Sequence, residues 1–210
     1  QALLIDDGIE YFGTNQGLWS RQNNRNVKLI KNINVLSLGK ASDGLITVGA
    51  KKGFYYLNKG ALKKISPDGK NYLSLSNTAV RDIEVISENE IWYATFGMGL
   101  FLHNPGTFTT LNAKDGLDVG GMTFDLVKHG NKVYIATKNG LFLYQNNKIK
   151  KHYTKNDGLP SNMILDLDMD SSGNLWIATA NGLSKLSESV FKNFSRKDGL
   201  PSKLVTSVHV

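Results

Sequence analysis

The 210-residue sequence predicts an all-β fold built from repeated four-stranded sheets, and three observations predict it. First, a short apolar strand runs into a Gly followed by an apolar residue five times. The copies are Tyr11-Phe-Gly-Thr-Asn-Gln-Gly17-Leu18, Thr47-Val-Gly-Ala-Lys-Lys-Gly53-Phe54, Trp92-Tyr-Ala-Thr-Phe-Gly-Met-Gly99-Leu100, Tyr134-Ile-Ala-Thr-Lys-Asn-Gly140-Leu141 and Trp176-Ile-Ala-Thr-Ala-Asn-Gly182-Leu183. Second, these glycines recur at 36, 46, 41 and 42 residues (17→53→99→140→182). Third, Asp-Gly-Leu connectors keep the same period, with aspartates 42 and 41 residues apart (115→157→198). Repeats of roughly 40–45 residues carrying only strand signals are the mark of propeller blades of about four strands each. The expected fold is therefore a β-propeller with about five blades present.

The last full repeat gives the elements in order. Residues 163–170 alternate from Leu165 onward and read as the first strand. Ser171-Ser-Gly-Asn174 is a turn, and Leu175–Thr179 is apolar enough for a strand covered on both faces. Ala180-Asn-Gly182 turns tightly into a third strand at Leu183–Leu186. Val190–Phe194 is the exposed fourth strand; Phe191 and Phe194 fall three apart, which predicts a bulge or bend. Antiparallel neighbours place the connectors and the second-to-third-strand turns at one end of each sheet. The expected repeats are 1–34, 35–78, 79–121, 122–162 and 163–203, with 204–210 starting a further blade of a single propeller over 1–210. Both ends of the chain fall inside strand patterns, so it reads as a piece of a longer protein. Trp92, Trp176, Tyr11 and Tyr134 occupy equivalent second-strand positions and are expected to pack between blades.

Composition restricts function. No apolar run is long enough to span a bilayer, so no membrane contact is expected of this segment. There are no cysteines, which excludes disulfides and thiolate metal sites. The net charge is +7. It reads either as an anionic partner or as solvated lysines on outer strands, and lysines blocking edge pairing are the favoured reading. No basic run with interleaved aromatics suggests nucleic acid. The four histidines, His103, His129, His152 and His209, are scattered, and no nucleophile elbow, phosphate loop or metal-spaced pair occurs. Asp166, Asp168 and Asp170 alternate along one strand but make a poor cation cage. No catalytic residue, cofactor or metal is expected.

Residues 153–164 and 170–183, holding Asn-Asp-Gly-Leu-Pro-Ser-Asn, Asp-Ser-Ser-Gly-Asn-Leu-Trp-Ile-Ala-Thr and Asn-Gly-Leu, resemble the two-component regulator propeller repeat. Residues 163–203 carry the resemblance most fully, 122–162 well, 79–121 with insertions and 1–78 weakly. The resemblance implies seven-bladed propellers in the periplasmic or extracellular part of bacterial hybrid sensor kinases, which often detect oligosaccharides. It also implies neighbouring modules or subunits as partners. The same repeats occur in secretion and surface systems, so an assembly propeller without a small ligand is the alternative. A propeller lyase is a third reading, and its His–carboxylate cluster cannot be built here.

Residues shared by every blade read as scaffold; the connector leucines Leu159 and Leu200 are expected to plug gaps between blades. Recognition should use positions where the blades differ. The expected ligand-binding residues are Phe96, Tyr72, Lys51 and Lys52, with Lys138 and Asn139 next. The Phe96-Gly-Met98 turn carries one extra residue and two apolar side chains. Phe96 could instead fill a gap between connectors.

Overall fold

The computed structural model describes residues 2–41, 44–58, 61–64, 77–87, 89–104, 107–118 and 120–210. They form five four-stranded antiparallel sheets, each from consecutive strands. The strands are β1 (Leu3–Asp6), β2 (Ile9–Thr14), β3 (Gly17–Gln22), β4 (Arg25–Lys31), β5 (Val35–Lys40), β6 (Ile46–Ala50), β7 (Gly53–Asn58), β8 (Ala61–Lys64), β9 (Ala79–Ser87), β10 (Glu90–Phe96), β11 (Gly99–Asn104), β12 (Thr107–Leu111), β13 (Thr123–His129), β14 (Lys132–Thr137), β15 (Gly140–Gln145), β16 (Lys148–Tyr153), β17 (Ile164–Met169), β18 (Leu175–Thr179), β19 (Gly182–Ser187) and β20 (Val190–Phe194).

The chain divides into two compact units, residues 1–110 and 111–210. In the first, the sheets β1–β4 and β5–β8 bury Tyr11, Leu18, Val35, Ile46 and Val48 between them. Phe54, Val80, Ile83, Tyr93 and Phe101 form a second core joining β5–β8 to β9–β12. Phe54 and Tyr93 stack there at 4.6 Å. In the second unit, one face of β13–β16 packs on one face of β17–β20 through Ala136, Leu141, Leu143, Tyr153, Leu167, Leu175, Ile177 and Leu186. Each sheet has two apolar faces, and burial of these side chains against the neighbouring sheet is the main stabilising term.

The repeated Thr and Gly have a local cause. The Thr14, Thr95, Thr137 and Thr179 hydroxyls donate to the carbonyls of Gly17, Gly99, Gly140 and Gly182 at 2.6–2.9 Å. Three of them also accept the N–H two residues on, from Gln16, Asn139 and Asn181. Each hydroxyl thus closes the turn between second and third strands, and those of Thr95, Thr137 and Thr179 are buried. The glycine starts the third strand against the fourth. At Gly182, φ is +118° and an added Cβ would sit 2.5 Å from the Phe194 carbonyl oxygen. Only a residue without Cβ fits this close backbone approach.

The bulge expected in the last outer strand is absent: β19 and β20 pair in continuous register from Leu183↔Phe194 to Ser187↔Val190. The three-residue spacing instead sends the rings to opposite faces. Phe191 meets Tyr153 edge-on at 5.3 Å, across the sheet–sheet core, and Phe194 stacks on Trp176 at 5.7 Å on the other face. Trp176 is thus on the face of its sheet opposite β13–β16, a face that no sheet of the described residues covers. It lies on the face of β17–β20 away from the core, half-buried, with the Lys185 ammonium 5.2 Å from its ring centroid. Tyr11 and Tyr134 do pack between sheets, and Trp92 is fully buried.

Candidate functional site

The connectors are built by side-chain capping. Thr154 and Asp157, Ser195 and Asp198, and Asn112 and Asp115 form reciprocal capping boxes around one-turn 3-10 segments, each ended by a left-handed Gly. Hydrogen bonds from Thr154 and Ser195 hold the Asp157 and Asp198 carboxyls below the usual carboxylate range. The following Leu is driven inward: Leu117 is 1% exposed and Leu159 3%. Leu159 packs in the core between β13–β16 and β17–β20, whereas Leu200 is half-exposed. The Asn139 side-chain amide donates to the Asp118 carbonyl and the Asn181 amide to the Pro160 carbonyl, at 3.3 and 3.2 Å. In the second unit, therefore, turns and connectors share one end of the sheets, and in the first the Asn32 N–H bonds the Gln16 carbonyl at 3.2 Å to the same effect.

Inner-strand carboxylates tie neighbouring strands together. Asp125 accepts the Leu167 N–H at 2.7 Å. Forty-one residues on, Asp166 accepts the Val208 N–H at 2.8 Å and the Ser207 hydroxyl at 2.9 Å. Asp168 accepts the Val210 N–H at 2.8 Å and lies 3.1 Å from His209. Burial pushes the Asp166 carboxyl up, against the pull of its Val208 and Ser207 hydrogen bonds. Asp170 accepts from the Asn174 backbone and amide and from the Trp176 indole, and the Asn174 bonds chiefly hold its carboxyl far below the usual range. Asp166, Asp168 and Asp170 are thus engaged in separate structural bonds. Among the described residues no His, Cys, Asp and Glu side chains group as metal ligands.

Two of the remaining histidines are likewise separated: His103 stacks on Phe108 at 4.2 Å, and His152 stacks on Phe142 and bonds the Asn139 carbonyl.

Of the expected binding residues, Lys51 and Lys52 line a cavity of about 650 Å³ between β1–β4 and β5–β8. The cavity lies at the connector end, bounded by the β2–β3 turn, the end of β4, the β4–β5 connector and the β6–β7 turn. The Lys51 N–H bonds the Asn34 carbonyl at 2.9 Å, fixing the turn to that connector. The Tyr55 hydroxyl donates to the Lys52 carbonyl at 3.0 Å. Gln16 of the β2–β3 turn completes a polar rim together with Lys31, Asn32 and Asn34, three residues that sequence reasoning missed. Their signal was a short connector: β4 and β5 are joined by Asn32–Asn34 alone, with no Asp-Gly-Leu-Pro segment and no plugging Leu. Phe96 and Met98 are 48% and 40% exposed at the β10–β11 turn. Lys138 is exposed at the β14–β15 turn, and Asn139 is engaged with the adjacent connector. Tyr72 lies outside the described residues.

Five sequential antiparallel four-stranded sheets define a β-propeller class of repeat protein. Residues 158–181 match the two component regulator propeller family, the repeat that the Gly-Leu-Pro and Trp-Ile-Ala-Thr segments resemble. No curated protein matches the chain. Among solved structures, the chain is similar to the extracellular domain assigned to the hybrid two component system BT3049 from B. thetaiotaomicron. That match has 23% identity and a TM-score of 0.80, covering 97% of this chain and 29% of that one. The corresponding domain of BT4673 from B. thetaiotaomicron matches at 21% identity and a TM-score of 0.64, covering 76% of this chain and 21% of that one. Virginiamycin B lyase from Staphylococcus aureus matches at 12% identity and a TM-score of 0.69, covering 96% of this chain and 70% of that one. These likenesses show the β-propeller fold. The chain spans less than a third of the two B. thetaiotaomicron domains.

Proposed function

We propose that the chain is part of the extracytoplasmic, periplasmic or extracellular, sensing propeller of a two-component receptor. It binds an oligosaccharide or other small solute at the connector end of its sheets and passes the event to neighbouring modules or subunits. The observation that carries this reading is the contrast between shared and unshared positions. The shared Thr, Gly, Asp and Leu are consumed in turns, caps and plugs. The unshared Lys51 and Lys52 stand around an open cavity of a size suited to a small ligand. The repeat match and the printed descriptions of the B. thetaiotaomicron structures support the receptor setting.

A saccharide library screened by thermal shift tests it: a saccharide should raise the melting temperature of the chain, and Lys51→Ala with Lys52→Ala should cancel the rise. A shift that survives in that variant moves the site elsewhere, and a library with no stabilising member defeats the reading.

The exposed Phe96 and Met98 favour a second role for the first unit. Two apolar side chains at one turn suit contact with a neighbouring protein module, as an assembly propeller requires.

A further inference from the structure

We infer that the cavity between β1–β4 and β5–β8 takes an anionic solute, a sugar-sized polar body bearing a carboxylate or sulfate, held by Lys31, Lys51 and Lys52. This rests on the sensing role proposed above and names its ligand class. Four lysines line the cavity and, among the described residues, no acidic one does. Lys28 is partly committed, its ammonium 4.7 Å from the Trp19 ring centroid. Lys31, Lys51 and Lys52 are exposed and have no ion-pair partner among the described residues.

The acids that could compensate them lie at the far end of the sheets. Among the described residues of these two sheets they are Asp6, Asp7 and Glu10, beside the β1–β2 turn. Asp6 is paired with Lys40 and Glu10 with Arg21. Glu10 precedes the end of β2 at Thr14 by four residues, roughly 13 Å at strand rise, beyond a Debye length of about 8 Å at physiological salt. Among the described residues of these two sheets no carboxylate therefore compensates the positive charge at the cavity, and clefts concentrate such fields.

The polar rim supplies the rest of the recognition. The side-chain amides of Asn15, Gln16, Asn32 and Asn34 line the same cavity and have no hydrogen-bond partner among the described residues. Amides donate and accept, which suits the hydroxyls of a sugar ring, while the ammonium groups suit the anion. A bare inorganic ion would use the lysines and leave the amides and most of the space unused.

The test is an amide chemical-shift titration of the labelled 210-residue chain with glucuronate, glucose 6-sulfate, glucose and inorganic sulfate. The two sugar anions should saturably shift residues 15–16, 31–34 and 51–52. Glucose and inorganic sulfate should each bind at least about tenfold more weakly, and raising salt should weaken the sugar anions alone among the sugars. Lys51→Glu with Lys52→Glu should lose at least about tenfold in affinity, and Lys51→Arg with Lys52→Arg should retain binding. Both pairs sit on an exposed turn, and circular dichroism checks that they fold. Glucose binding as tightly as the sugar anions overturns the charge assignment while leaving solute sensing intact. Inorganic sulfate binding as tightly as glucose 6-sulfate overturns the sugar-sized ligand. No shift with either sugar anion overturns the inference outright; the sensing role fails separately, when no saccharide in the broad screen binds.

Discussion

Replacing Asp125 by Ala should destabilise the second unit by about 2 kcal/mol. The carboxylate accepts the Leu167 N–H at 2.7 Å across the two inner strands β13 and β17, in a half-buried setting. A hydrogen bond to a charged group contributes about 1.5–3 kcal/mol, and truncation also leaves the donor without a partner in a place poorly reached by water. Asp125→Asn keeps an acceptor oxygen without the charge, so its cost should be about half as large. Asp168→Ala removes a chemically similar bond to the exposed Val210, beside the exposed His209, and a local one from the adjacent Met169 N–H; water replaces the bond to Val210, and the total cost should stay below about 1 kcal/mol. Urea unfolding followed by circular dichroism separates the three. With a slope of about 2 kcal/mol per molar, Asp125→Ala lowers the midpoint by about 1 M at unchanged slope. Amide exchange gives a local readout, since Leu167 should lose protection in Asp125→Ala and keep it in Asp168→Ala. Equal midpoints for all three variants, with the Leu167 amide still protected, refute the claim that the carboxylate staples the inner strands.

Three further outcomes follow from the same geometry. Leu159→Ala empties a 3%-exposed site between two sheets and should cost about 2–4 kcal/mol in urea unfolding, against less than about 1 kcal/mol for the half-exposed Leu200→Ala. Gly182→Ala forces a Cβ toward the Phe194 carbonyl at φ +118° and should cost more than about 2 kcal/mol, measured the same way. Acid should unfold the chain through its lowered carboxyls: Asp157, Asp170 and Asp198 sit below their ordinary value of 3.8. Their contribution is complete above that value and is lost as the pH falls through their lower native values. Asp166 has the opposite sign, since its raised value favours the protonated native form on the acid side. A melting-temperature profile should therefore be flat near neutrality and fall below about pH 4, and Asp157→Asn with Asp198→Asn should make that fall shallower.

The sheets were legible because period, turn residues and apolar strands agree. Leu175–Thr179 and Val190–Phe194 are strands to the residue. Local detail was read less well where one residue serves two demands. The spacing of Phe191 and Phe194 suggested a bulge because alternation was expected to keep both rings on one face, whereas each face of the sheet takes one ring. The repeated Thr was visible as a letter, but its donation to the glycine carbonyl appears only in three dimensions. The cavity was the least legible feature. Lys51 and Lys52 stood out as a turn where the blades differ, but Lys31, Asn32 and Asn34 frame a space created by what a three-residue connector omits. A search for recurring residues does not register an omitted plug.

Hydrogen exchange of the chain with and without a stabilising saccharide tests solute recognition at the connector end most directly. Protection should rise at residues 15–16, 31–34 and 51–52 and stay unchanged at the Asp7–Gly8 turn at the far end of the same strands. Protection centred on Asp7–Gly8, or a bound saccharide that protects neither end, contradicts the account.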